Sequence, residues 1–261
     1  MNPFLNTAVK AARAAGDVIT QSIEHLEKID IKKNHNNQIV TEVDNAAFQQ
    51  IKYILNKNYP DHKIISKDEL EESSEENSTN YSHIWIIDAL DGTLNYINNL
   101  PYYAVSIALQ VNSKIEMAAI YDPLQQELFS AVRGSGAQLN GKRIRVSNSK
   151  ANLDHALIGI ELPYNTDLSN YSNISSAFIR SNSIVRTIGS SSLNFAYVAC
   201  NRLNGFIAPN LTKFHMLAGS LIVKEAGGLV SDFQGTENYL ESCNIVATNV
   251  KLLKPVLQLI N

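Results

Sequence analysis

Cysteine, tryptophan and methionine are scarce in this chain, at two, one and three among 261 residues. Cys200 and Cys243 stand far apart and neither belongs to a CxxC pair, which argues against a thiolate zinc site and against a disulfide framework. Such cysteine use suits a reducing cytoplasm, the expected location. Charge of one sign is also missing: 22 basic residues against 25 acidic ones leave a formal net charge of −3. No broad cationic field is available to hold a nucleic-acid backbone, so RNA is expected only as part of a complex with other proteins. No apolar run reaches the roughly 18 residues of a membrane span, and Met1 to Asn6 lack the basic start of an export signal. Neither internal repeats nor a break in composition divides the sequence.

What is present is apolar residues, 44% of the chain, enough for a full core in one α/β domain over residues 1–261. Leu5, Ala8, Val9, Ala12, Ala15, Val18 and Ile19 recur at helical spacing and predict a first helix to about Leu26. A second starts near Thr41, where Asp44 three residues on completes a capping pattern. Lys63 to Ile65 and Ile84 to Ile87 read as buried strands on either side of a polar loop from Glu69 to Tyr81. A meander of strands runs from Ala104 to Ser147, with a hairpin at Asn140-Gly141. Beyond it come a strand near Ala156 to Ile158, helices near Leu168 to Phe178 and Ser191 to Val198, and a strand at Gly205 to Ile207. A helix from Phe214 to Ala226 stops at Gly227-Gly228, followed by a strand at Asn244 to Thr248 and a final helix.

The chemistry gathers at Asp88-Ala89-Leu90-Asp91-Gly92-Thr93, directly after an apolar strand. Two carboxylates in what reads as one turn are oxygen donors for a hard cation such as Mg²⁺, with the Leu90 carbonyl as a third. Gly92 lets an anion approach the backbone, its amide and that of Thr93 can receive a phosphate, and the Thr93 hydroxyl can orient a water. In isolation a DxxDG string also serves as a plain polar turn.

The surrounding residues narrow that choice. Trp85 to Tyr96, WIIDALDGTLNY, resembles the WxxDPxDGTxNF signature of the inositol monophosphatase family, with Ala89 where proline is usual. Phe214 to Gly228, FHMLAGSLIVKEAGG, resembles its second signature, WDxAAGxxIxxEAGG. Further segments resemble the bacterial SuhB branch of the family: Asn6 to Gly16, Tyr121-Asp122-Pro123 with Glu127 to Phe129, Arg133 to Gly141, and Gly228 to Phe233. The resemblance spans nearly the whole chain. It implies an αβαβα sandwich and Mg²⁺-dependent hydrolysis of a small phosphate monoester, with metals stabilising the entering and leaving oxygens. By position, Asp88, Leu90 and Asp91 match metal ligands, and Asp44 and Thr93 match the pair that activates water. Leu90, Asp91, Gly92, Thr93 and Arg186 match the substrate surroundings, although a strand-end arginine at 186 would look the same.

Besides Ala89, three positions that converge on the site depart from the pattern. Lys67 in Ser66-Lys67-Asp68 stands where a bridging Glu is usual, with Asp68 or Glu69 near enough to substitute after a local shift. His215 replaces the Asp of the second signature, and imidazole suits zinc or manganese better than magnesium. On its own, His215 also reads as a histidine packed at a helix start. Ala208 replaces a substrate-contacting Glu. Losing a carboxylate ligand removes on the order of a thousandfold in rate, so two such losses predict strongly impaired Mg²⁺ catalysis.

Two functions follow from the resemblance. One is hydrolysis of inositol 1-phosphate or another sugar or polyol phosphate; adenosine or fructose bisphosphates are less well matched. The other, favoured by an eroded site on a retained fold, is that of a Nus-type factor working with RNA polymerase and Nus proteins in the antitermination that supports ribosomal RNA synthesis. The family also implies a dimer or a monomer–dimer equilibrium, and no membrane partner.

Overall fold

The computed structural model describes residues 2–33, 39–67, 81–161 and 168–261. Of the loop expected from Glu69 to Tyr81, residues 69–80 lie outside the described residues, as does Asp68.

Helix α1 (Pro3–Ser22) is capped by Asn2, whose side chain accepts from the amides of Phe4 and Leu5. It ends earlier than expected, because the backbone tightens into a 3₁₀ segment at Ile23–Lys28 with a kink at His25. A small hairpin, β1 (Ile31–Lys33) and β2 (Ile39–Thr41), leads into α2 (Glu42–Asn58). The predicted capping box is formed: the Thr41 hydroxyl accepts from the Asp44 amide, and the Thr41 amide donates to the Asp44 carboxylate. This cap fixes the Asp44 side chain at the first turn of α2.

A seven-stranded sheet follows in the order β3-β4-β5-β6-β7-β8-β9: β3 (Lys63–Ser66), β4 (His83–Asp91), β5 (Ala104–Val111), β6 (Lys114–Asp122), β7 (Glu127–Val132), β8 (Gly136–Leu139) and β9 (Lys142–Ile144). Only the β3–β4 pair is parallel; the rest is the expected meander. A short α3 (Thr93–Ile97) follows β4. A five-stranded sheet, β11-β10-β12-β14-β13, is made from β10 (Leu157–Ile160), β11 (Ile184–Arg186), β12 (Gly205–Ala208), β13 (Leu229–Ser231) and β14 (Ile245–Thr248). Its helices are α4 (Leu168–Arg180), α5 (Ser191–Ala199), α6 (Lys213–Glu225), α7 (Tyr239–Ser242) and α8 (Leu253–Ile260). Sequence patterning does not single out β1, β2, β11 or β13, each of three residues, as strands.

Strand alternation builds the layers. Trp85, Ile87, Val105, Ile107 and Leu109 face α1 and α2, burying Ala8, Ala12, Ile19, Ile51 and Leu55. Ile84, Ile86, Ala104 and Ala108 face the other way, onto α5, α6 and the inward residues Phe206, Ala208 and Ala247 of the smaller sheet. The outward residues Ile158, Ile160, Ile207 and Val246 pack with Ile174 and Phe178 of α4 and Val256 of α8. The order is therefore αβαβα. Among the described residues no helix is long and apolar enough to cross a membrane.

Candidate active site

Asp88 and Asp91 were expected in a turn, but both belong to β4, and a β-bulge brings them together. Asp88 pairs with Ser106 and Asp91 with Ala104, so two residues of β4 oppose Val105 alone. A regular pleat would send residues three apart to opposite faces. The extra residue restores Asp91 to the face of Asp88, between the two sheets. Ala89 and Leu90, the two residues opposite Val105, both pack into the α1–α2 layer. Gly92 then turns the chain with φ +93°, and a Cβ there would lie 2.6 Å from the Tyr102 carbonyl oxygen. Asn95 ties the following helix down by donating to the carbonyls of Tyr102 at 2.7 Å and Ile188 at 2.8 Å.

Three carboxylates converge there: Asp44, Asp88 and Asp91 are 8%, 2% and 6% exposed. Asp44 Oδ2 accepts from the Thr41 amide and hydroxyl, at 2.8 and 2.6 Å. Its Oδ1 faces the Thr93 hydroxyl at 3.1 Å, which stands equally close to the Leu90 carbonyl. Asp91 Oδ2 accepts from the Ser190 hydroxyl and the Ser192 amide, both at 2.7 Å. That amide lies in the first turn of α5, whose dipole favours the negative charge.

The two basic residues enter this cluster. Lys67, directly after β3, places Nζ 3.4 Å from Asp88 Oδ1 and 3.8 Å from Asp44 Oδ1. His215, in the first turn of α6, places Nδ1 3.3 Å from Asp88 Oδ2 and 3.9 Å from Asp91 Oδ1. Burial works to raise the Asp88 carboxyl, but Lys67 and His215 outweigh it and hold it below its usual range. Burial likewise opposes the His215 cation, and the Asp88 and Asp91 charges overcome it, raising the imidazole. For Asp44 burial wins over Lys67 and Thr41, and the carboxyl is raised.

Residue patterning missed Glu161, which follows β10 and is buried beside Asp91. Burial first and the Asp91 charge second push its carboxyl up to about 8. Asn194 donates to its Oε2 at 2.9 Å and to the Ser190 carbonyl at 3.0 Å. An acidic residue closing an apolar strand, as at Asp88, was the available signal. Arg186 is exposed in edge strand β11 and donates to the Val185 carbonyl, and Ala208 is wholly buried at the end of β12.

A model of the inositol monophosphatase family matches residues 1–260. The chain belongs to that family. It is 43% identical to the Nus factor SuhB of Pseudomonas aeruginosa, over 98% of this chain and 95% of that protein. With the Nus factor SuhB of Escherichia coli K12 it shares 42% identity over the same proportions. Among solved structures, extragenic suppressor protein SuhB from Bartonella henselae matches with a TM-score of 0.92 and 32% identity, covering 100% of this chain and 99% of that one. The IMPase of Thermotoga maritima matches at 0.87 and 29% identity, covering 100% and 97%. The family's metal is magnesium, and the donor set here fits it poorly. An ammonium already faces Asp44 and Asp88, and an imidazole nitrogen stands among the carboxylate oxygens.

Proposed function

We propose that this chain acts as a SuhB-type Nus factor, a single inositol monophosphatase-like unit over residues 1–261. It supports ribosomal RNA transcription antitermination together with RNA polymerase and Nus proteins, and contacts RNA only within that assembly. The observation that carries the reading is the near full-length identity of 42–43% to proteins named Nus factor SuhB. The chemistry of the carboxylate cluster agrees with it. Lys67 Nζ lies between two carboxylates of the water-activating and metal-binding set, at 3.4 and 3.8 Å, and competes there with any divalent cation. A binding role tolerates that change, whereas metal-assisted phosphoryl transfer is impaired by it.

The test is affinity purification of the tagged full-length chain from its own cells. Co-purification of RNA polymerase and Nus proteins is the expected result, and their clean absence overturns the proposal.

The second reading, hydrolysis of inositol 1-phosphate or a related monoester, draws on the retained Thr93 hydroxyl at 3.1 Å from Asp44 Oδ1. In it Asp44 and Thr93 activate water, Asp88, Leu90 and Asp91 hold Mg²⁺, and Gly92 and Arg186 adjoin the phosphate ester. Mg²⁺-dependent phosphate release is measured beside Lys67→Glu/His215→Asp. High and equal rates in both proteins favour this reading over an impaired site.

A further inference from the structure

The oxygens of Asp88 and Asp91 divide their work. Asp88 Oδ1 faces Lys67 Nζ at 3.4 Å and the Leu90 amide at 3.3 Å, while Oδ2 turns away toward His215. Asp91 Oδ2 is held by Ser190 and Ser192, leaving Oδ1 on the His215 side. Asp88 Oδ2 and His215 Nδ1 are both fully buried, and neither has a hydrogen-bond partner. A protonated imidazole pairs with Asp88 as an ion at 3.3 Å, whereas a neutral one leaves two acceptor atoms facing each other, a desolvation cost that a cation bound to both would meet. One donor atom from each of Asp88, Asp91 and His215 lies within 4.8 Å of the others.

We infer that Asp88, Asp91 and His215 form a mononuclear site for a borderline transition cation, zinc foremost, in place of the family's magnesium. The donor chemistry is one imidazole nitrogen and two carboxylate oxygens, a set that suits zinc, whereas magnesium takes oxygen alone. Spacing agrees. Donors about 2.1 Å from a tetrahedral zinc stand roughly 3.4 Å apart, and cis donors of an octahedral magnesium only about 3 Å apart. The His215 nitrogen lies 3.3 and 3.9 Å from the two oxygens, on the wider side. The fixed oxygens of both carboxylates supply the outer hydrogen bonds that hold ligands in orientation. Lys67 marks the limit of the site: its ammonium stands on the Asp44 side of Asp88, where a further cation would meet like charge. One ion per chain is the consequence. This inference is independent of the antitermination role, which co-purification tests separately.

The decisive experiment titrates Zn²⁺, Mn²⁺ and Mg²⁺ calorimetrically into the full-length, metal-stripped protein near neutral pH. One Zn²⁺ per chain is expected, bound about 100-fold more tightly than Mg²⁺. Co²⁺, used as a spectroscopic probe, should show visible absorption that His215→Ala abolishes and that His155→Ala, at an exposed histidine, retains. His215→Asp keeps a ligand at the position and so does not depend on how the alanine variant folds; it should narrow or reverse the preference for Zn²⁺ over Mg²⁺. Equal binding of the two ions by the natural protein, absence of Zn²⁺ uptake, or uptake unchanged by both His215 variants overturns the site.

Discussion

Lys67 Nζ stands 3.4 Å from Asp88 Oδ1, the carboxylate oxygen that His215 does not face. One buried carboxylate is therefore flanked by two basic side chains from different elements, one following β3 and the other opening α6. Removing either leaves charge in the interior with less to balance it.

Replacing Lys67 by methionine keeps most of the side-chain volume and deletes the ammonium. Asp44 and Asp88 then share one buried region without the charge that faces both, and breaking a buried pair in this way costs about 3–5 kcal/mol. Urea denaturation at neutral pH should show a loss in that range. A loss below about 1 kcal/mol would mean that the pair is screened like a surface ion pair.

Asn95 joins α3 to two separate backbone carbonyls, those of Tyr102 and Ile188. Asn95→Asp preserves the shape, removes both donors and turns an anion toward two acceptors. The expected cost is about 2–4 kcal/mol, since two carbonyls lose their partners and a partly buried charge is added. Thermal melts of the two proteins check it, with Asn95→Ser as a smaller, neutral comparison that should lose less.

Gly92→Ala should destabilise by more than about 1 kcal/mol, because φ +93° is left-handed and the new methyl would meet the Tyr102 carbonyl at 2.6 Å. Near-natural stability on denaturant titration would show that the β4–α3 junction relaxes freely.

Glu161 carries one part of the pH dependence. Its folded carboxyl is raised to about 8 from an ordinary 4.5, by burial and by Asp91. At low pH both folded and unfolded chains hold the proton. Between about 4.5 and 8 the unfolded chain releases it and the folded chain keeps it, so Glu161 subtracts stability progressively as pH rises, and the loss levels off above about 8. Glu161→Gln, which still accepts from Asn194 through its amide oxygen, should flatten this part of the melting-temperature profile. Parallel profiles for the two proteins would remove the assignment.

Much of this architecture was legible in the sequence because alternation in the strands and helical periodicity each had a core to answer to. Trp85 and Ile87 against Ile84 and Ile86, or Ile207 against Phe206, sort themselves onto opposite faces without any knowledge of neighbours. Thr41 and Asp44 announced their cap locally, and Asp44, Asp88, Asp91, Thr93, Lys67 and His215 do converge. What stayed hidden depends on distant partners. Asp-Ala-Leu-Asp reads as a turn until β5 is laid beside it. Glu161 reads as one acidic residue until Asn194, 33 positions on, closes over it. The strands β11 and β13 are three residues long, too short for a period of two to show.

The bulge sets a parity rule for the spacing of the motif. Shortening the Asp88–Asp91 interval by one residue would restore an unbroken pleat, with the second carboxylate still on the face of the first. Losing the bulge while keeping all four residues would instead swing Asp91 to the face of β4 that packs on α1 and α2, into hydrocarbon. The interval of three is thus readable as a count of strand geometry, whatever cation the face receives. Exchange of a glutamate for Lys67, or of an aspartate for His215, alters the charges presented to that face from outside β4. Such exchanges leave the count untouched, so this lineage could revise its electrostatics without redrawing its sheet.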